Sequence, residues 1–332
     1  MKVKALFIIV LAFLVFVSCN NTKPNLKQDL SNIPKQEVSF KRYEKTLFAL
    51  NKDSFIYEIP KLKNQFPLFL SENTDDTLAL LSLKAFFTDH YMIELNDMVQ
   101  SHYSDMSNIE SELSTAIQYY HYYFDLPQKF NYYTYISGLD IKNPVKVIDS
   151  NIVLGLDLYL GANSKVYSMS GFPKYKSKWL VEQNIVPSIM REIVSGIMPE
   201  RDLSLKLIDQ MIYEGKKLFF IQSMIPEIED TLLMQYSKSQ MQWCYENEAR
   251  LWSLMVENQF LFETDISVQK KFMDDAPFTS ILSTSAPARL GQFLGWRIVS
   301  RFMANSDYEL ESLLAENNAQ LILKESKYKP KR

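Results

Sequence analysis

A chain of 332 residues, 47% hydrophobic and 23% charged, has the composition of a globular protein with a real core, large enough for one large domain or two ordinary ones. Its formal net charge of −3, with no basic run inside the body, argues against nucleic acid as a partner. Only eight glycines occur and none precedes Gly138, which argues against Gly-rich phosphate loops and for a helical first half.

The chain opens with Lys2 and Lys4, continues through the apolar run from Ala5 to Val17, and closes that run with Ser18-Cys19. A cationic start, a short apolar core and a small residue before cysteine form a secretory leader over residues 1–18 that resembles a bacterial lipobox. The resemblance implies cleavage before Cys19 and acylation of its thiol, which anchors the mature chain to a membrane. An uncleaved amino-terminal anchor is the alternative, and it too leaves the rest of the chain outside the cytoplasm at a membrane surface. Residues 19–36 are expected to be the lipidated cysteine and a flexible tether, because Asn, Lys, Gln and Pro dominate there and little can be buried. Cys244, in a Gln-Trp-Cys-Tyr setting, then stands alone and suits a buried thiol.

Residues 37–325 are read as a single domain, with 326–332 as a basic, solvated tail. A short strand-like piece, Val-Ser-Phe-Lys-Arg-Tyr from Val38, leads into helices expected at about 52–65, 77–88, 90–103 and 106–123. Asp76 or Thr77 and Ser107 or Asn108 are the expected caps. In the run Tyr119-Tyr-His-Tyr-Tyr-Phe124 an aromatic helix face packs in the core. After Pro127 the texture becomes β-prone. Strands are expected at 130–136, 145–148 and 152–161, with Lys142-Asn143-Pro144 and Asp149-Ser150-Asn151 as turns.

A short helix follows at Val186, with Pro187 in its first turn and Gly196 and Pro199 at its end, and a longer apolar-periodic helix runs from Leu203 towards Pro226. Further helices are expected near 228–237, 240–259, 267–273, 287–304 and 307–316. Gly291 and Gly295, at i and i+4, suit close helix packing, and Trp243, Trp252 and Trp296 suit the core.

An ordered set of motifs lies in the second half: Asn247-Glu248-Ala249-Arg250-Leu251-Trp252, Leu261-Phe262-Glu263-Thr264-Asp265, Asp275-Ala276-Pro277-Phe278, and the run from Pro287 through Arg289, Gly291 and Gly295 to Val299. Together with Gly155-Leu-Asp-Leu-Tyr-Leu-Gly161 and the lipoprotein start, this set resembles the gliding-motility lipoprotein GldB family of Bacteroidota. The family is in turn similar to zinc peptidases that share the Gly-Leu-Asp-x-Tyr-Leu-Gly strand, a His-Glu-x-x-His helix, a downstream Glu-Gly and a Gly-x-x-x-Gly-x-x-Ile-Val helix. The resemblance places the zinc helix on Arg191-Glu192-Ile193-Val194-Ser195 and the downstream pair on Glu214-Gly215. It implies an α+β fold, predominantly helical, with a zincin-like domain, a small β-sheet packed on helices and a degenerate metal site.

Both histidine ligand positions have changed. A guanidinium has no lone pair to give a metal, Ser195 is a poor substitute, and His90, His102 and His121 all lie in the first half. The site residues Arg191, Glu192, Ser195 and Glu214 are therefore read as non-catalytic, with no metal and no cofactor. Arg191 is expected either to replace the lost dication by a bidentate pair with Glu214 or, with Glu192, to form a solvated helix face.

The expected function is that of an envelope lipoprotein in gliding motility. It would face the periplasm and bind or scaffold parts of the gliding and type IX secretion machinery, with the strand at 152–160 open to β-addition by a partner segment. The competing reading is a divergent peptidase or hydrolase using Glu192 and Glu214.

Overall fold

A computed structural model describes residues 26–70, 76–124, 129–200, 202, 205–279, 282–283 and 285–330. The leader over 1–18 and Cys19 lie outside them.

Strand β1 (Phe40–Arg42) leads into the helices α1 (Tyr43–Phe48), α2 (Phe55–Leu62), α3 (Pro67–Leu70), α4 (Thr77–Thr88), α5 (His90–His102) and α6 (Ser107–Tyr123). Asp76 caps α4 by accepting the Leu78 N–H at 2.8 Å, and Asp89 caps α5 through the Met92 N–H at 3.0 Å. At α6 the cap shifts from the expected Ser107 or Asn108. Met106 holds the cap position, and Asp105 accepts both the N–H and the hydroxyl of Ser107.

The sheet adds β2 (Asn131–Tyr135), β3 (Val145–Ile148) and β4 (Asn151–Gly155) in the order β1-β2-β4-β3, with β1, β2 and β4 parallel and β3 antiparallel. The pleat sends Tyr132 into the main core and Tyr133 into a smaller one built on Tyr43, Phe55, Phe66 and Phe87. Both faces are thus covered, as parallel strands require. Glu44 is buried between the layers, where it takes Arg42 Nε at 2.5 Å and the Thr134 hydroxyl at 2.8 Å. Two sequence expectations are corrected here. The sheet has four strands, and β4 is an inner strand with both edges paired, so β-addition at 152–160 is closed off.

Strand β4 also ends six residues early, because Asp157 is turned inward. Its carboxylate accepts the Ser137 N–H at 2.8 Å, the Ser137 hydroxyl at 2.9 Å and the Leu139 N–H at 2.7 Å, and the chain tightens into a 3-10 turn over Leu156–Leu158. Leu139 has φ of +65°, uncommon for a side chain of its size, and the Asp157 bond holds it there. Burial pushes the Asp157 carboxyl up, and the three donors pull it back. The Gly-Leu-Asp-Leu-Tyr-Leu-Gly stretch is therefore a structural corner, completed by the Tyr103 hydroxyl on Tyr159 O at 2.5 Å and the Tyr167 hydroxyl on Asp157 O at 3.1 Å.

The second half is helical: α7 (Lys165–Met169), α8 (Lys174–Ser177), α9 (Ile185–Ile197), α10 (Leu207–Met224), α11 (Asp230–Met234), α12 (Lys238–Glu257), α13 (Ile266–Met273), α14 (Leu290–Asn305), α15 (Leu310–Ala315) and α16 (Ala319–Ser326). Helix α10 is buried nearly all round, as an axial helix must be, and α14 lies directly on it. Gly215 and Gly295 face each other across that contact.

Burying α10 entails burying Lys216. Its ammonium donates to Leu314 O at 3.0 Å and Glu316 O at 2.9 Å, capping the end of α15, where the helix dipole favours a cation. Burial nevertheless lowers its pKa to about 8, with the Glu316 carboxylate opposing.

The domain boundaries move outward at both ends. Residues 26–36, expected in the flexible tether, run along α6, with Leu26 packed on the main core. At the other end the expected basic tail is held in part: Ser326 is buried and the Tyr328 hydroxyl donates to Glu248 at 2.6 Å, although Lys327 and Lys329 are exposed.

Candidate functional site

Helix α9 turns Ile185, Val186, Ile189, Met190, Ile193 and Val194 into the core, which leaves Arg191, Glu192 and Ser195 half-buried on its flank. Glu214 is buried on the neighbouring α10. Instead of a bidentate pair with Glu214, the Arg191 guanidinium donates to Leu233 O at 3.5 Å, a long bond at the end of α11. Burial lowers its pKa, Glu214 opposes that through space, and the cation of Arg289 reinforces it. Ser195 spends its proton on the Arg191 carbonyl one turn back, at 2.8 Å. Glu192 faces a different charge: burial pushes its carboxyl up and the Lys217 cation pulls it down.

Three of the four candidate residues thus lie in two separate fields, Arg191 in that of Glu214 and Glu192 in that of Lys217, while Ser195 bonds its own helix. Zinc would need three or four donors converging on a point. Among the described residues no three His, Cys, Asp or Glu side chains come together, and the candidate set offers two carboxylates that engage different cations. The residues present do not fit a catalytic zinc. His90 is exposed and lies 3.2 Å from Glu94, while His102 packs against the Tyr103 ring.

What the sequence reading missed is the role of Arg289. It caps α14 at φ of +58°, pairs with Asp275 at 2.9 Å, donates to Met234 O at 2.8 Å and lies over the Tyr236 ring. Lys178 is within its field: burial lowers the Lys178 pKa, Arg289 lowers it further and Asp275 raises it. Arg191 and Arg289 therefore both donate to carbonyls at the end of α11, while Lys178 donates to Gln240 of α12 at 3.3 Å. The pairing of Asp275 with Arg289 joins two of the sequence motifs, and a signal for it existed in their shared presence.

A second ion pair joins two further motif segments, and a backbone bond ties another to α10. Glu248 accepts Arg297 Nε at 2.9 Å, and Glu263 O accepts the Leu207 N–H at 2.8 Å, which seats the start of α10. Cys244 is buried and free, with burial pushing its thiol up, and Trp296 is buried with its indole N–H on Gln222 at 3.1 Å. A separate open groove of about 480 Å³ runs between α11 and α12, lined in part by Glu229, Asp230, Lys238 and Glu246. None of the four candidate residues lines it.

Residues 23–330 match the family model described as gliding motility protein GldB. The chain belongs to the GldB family. No curated protein and no solved structure matches it significantly. GldB membership implies involvement in gliding motility, and the lipoprotein designation of the family fits a membrane-anchored envelope protein. Among the described residues no helix is long and apolar enough to cross a membrane. For this GldB-family chain the motifs that carry the resemblance are, in three dimensions, mostly the clamps that hold α10, α12 and α14 together.

Proposed function

We propose that this GldB-family chain is a non-catalytic envelope lipoprotein, anchored by lipid on Cys19 and facing the periplasm, that binds or scaffolds components of the gliding and type IX secretion machinery. The observation that carries the non-catalytic part is the fate of the zinc-helix positions. Arg191 is occupied with the end of α11 and Ser195 with the backbone of its own helix, so neither is presented to a ligand. On this reading the domain is a degenerate zincin whose metal-binding residues have been replaced by packing and charge. Exposed apolar side chains, among them Ile56, Tyr57, Leu78 and Leu81 on the touching helices α2 and α4, supply surface of the kind that meets another protein.

A second reading keeps one supporting observation. Glu192 is half-buried with its carboxyl pushed up, the direction that suits a general base, and a divergent hydrolase would use it with Glu214. Zinc content of the purified protein separates the two. The scaffold reading expects substoichiometric zinc that a chelator strips without changing the unfolding midpoint. One tightly held zinc per chain, with a midpoint that falls on chelation, would overturn it.

A further inference from the structure

Ser114, Gln118 and Tyr122 recur every fourth residue along α6, so they form one polar stripe on a helix whose other faces carry Leu113, Ile117 and Tyr120 into the core. Each member of the stripe holds the incoming chain. The Ser114 hydroxyl donates to Gln36 O at 2.5 Å, the Gln118 amide donates to Ile33 O at 2.6 Å and Leu30 O at 3.2 Å, and the Tyr122 hydroxyl donates to Gln28 at 3.1 Å. Gln28 also reaches the Tyr123 hydroxyl at 3.5 Å, and Lys27 pairs with Glu227 beyond the end of α10. The segment therefore runs antiparallel to α6 and emerges at that helix's C-terminal end.

We infer that residues 26–36 are a strap that fixes how the domain sits on the bilayer, with the C-terminal end of α6 against the headgroups. The inference rests on the reading that Cys19 carries the lipid. With the strap docked, the seven chain steps from Cys19 to Leu26 span at most about 25 Å. A free tether up to residue 36 would span up to about 60 Å, more than the roughly 50 Å diameter of a domain of this size. The long tether lets any face reach the membrane, whereas the short one confines contact to the end where the strap emerges. The side chains at that end suit the task. Tyr122 is exposed, Tyr119 and Tyr123 are half-buried, and tyrosine places an apolar ring and a polar hydroxyl at the depth where headgroups meet acyl chains.

The test uses the full acylated protein in vesicles of phosphatidylethanolamine and phosphatidylglycerol with a headgroup-attached nitroxide lipid as quencher. A fluorophore is placed on Tyr122→Cys or on Asn108→Cys, two exposed positions about 21 Å apart on the same helix. Buried Cys244 stays unlabelled, and Ser114 and Gln118 still hold the strap when Tyr122 is changed. Quenching at 122 is expected to exceed that at 108 by about twofold or more, given that separation. A twelve-residue Gly-Ser spacer inserted between Asn25 and Leu26 is expected to abolish the difference. Equal quenching at both sites in the acylated protein, or a difference that survives the spacer, would overturn the inference while leaving the lipoprotein reading intact. The mass of the N-terminal peptide separates the cases: a peptide without an acyl chain on Cys19 would overturn that reading and the inference with it.

Discussion

Gly295→Ala is expected to destabilise the protein by more than about 3 kcal/mol in urea unfolding. A Cβ built at this position would lie 1.8 Å from Met211 O and 2.5 Å from Met211 C, both backbone atoms of α10. Overpacking against side chains costs roughly 1–3 kcal/mol, because rotamers can give way. Here nothing flexible stands in the way, so α10 and α14 would have to part along their length and lose the packing of the axial helix. Gly215 shows the same contact from the other side, where a Cβ would lie 2.3 Å from Gly295 C. The matched control is Gly196→Ala on α9, where no atom lies within 4 Å and helix propensity alone should stabilise by up to about 1 kcal/mol. A Gly295→Ala protein as stable as wild type would mean that the two helices do not approach as described.

Glu248→Ala should cost about 3–5 kcal/mol, in the range found when one partner of a buried ion pair is removed. The carboxylate accepts from Arg297 at 2.9 Å and from the Tyr328 hydroxyl at 2.6 Å, and their loss leaves a largely buried guanidinium without its counter-charge. The effect should spread to the chain's end, since Tyr328 also packs edge-on against Trp252 with ring centroids 5.0 Å apart. Glu248→Gln, which can still accept a hydrogen bond but carries no charge, should cost about half as much. Exposed Glu246, two residues away, should change stability by less than about 0.5 kcal/mol when replaced by alanine. Equal, small effects at 246 and 248 would contradict the clamp.

Local chemistry carried much of the fold into the sequence. Strand β3 was legible because turn residues flank it on both sides, and α4 because Asp76 and Thr77 at its start are both residue types that cap helices. What was not legible came from distant partners. Nothing near Asp157 announces that its carboxylate will reach back to Ser137 and Leu139 and cut β4 short. Helix α16 was hidden by the lysines around it, although Ala319, Ile322 and Ser326 form a buried stripe at helical spacing. The strap was hidden for the same reason: residues 26–36 have little to bury, and their order comes from α6 through hydrogen bonds that composition does not record. At the candidate site the proximity of Arg191 and Glu214 followed from facing helices, but the choice of Leu233 O as the guanidinium's partner is set by α11 and Arg289.

Whether the acidic remnant has a task is decided most directly by colony spreading. A strain lacking this gene is complemented with wild type or with Glu192→Gln, Glu214→Gln, the variant first shown to be folded and membrane-bound. Spreading should be lost on deletion and restored equally by both. If only the wild-type gene restores it, the carboxylates of α9 and α10 act in the function itself, and the non-catalytic reading is wrong.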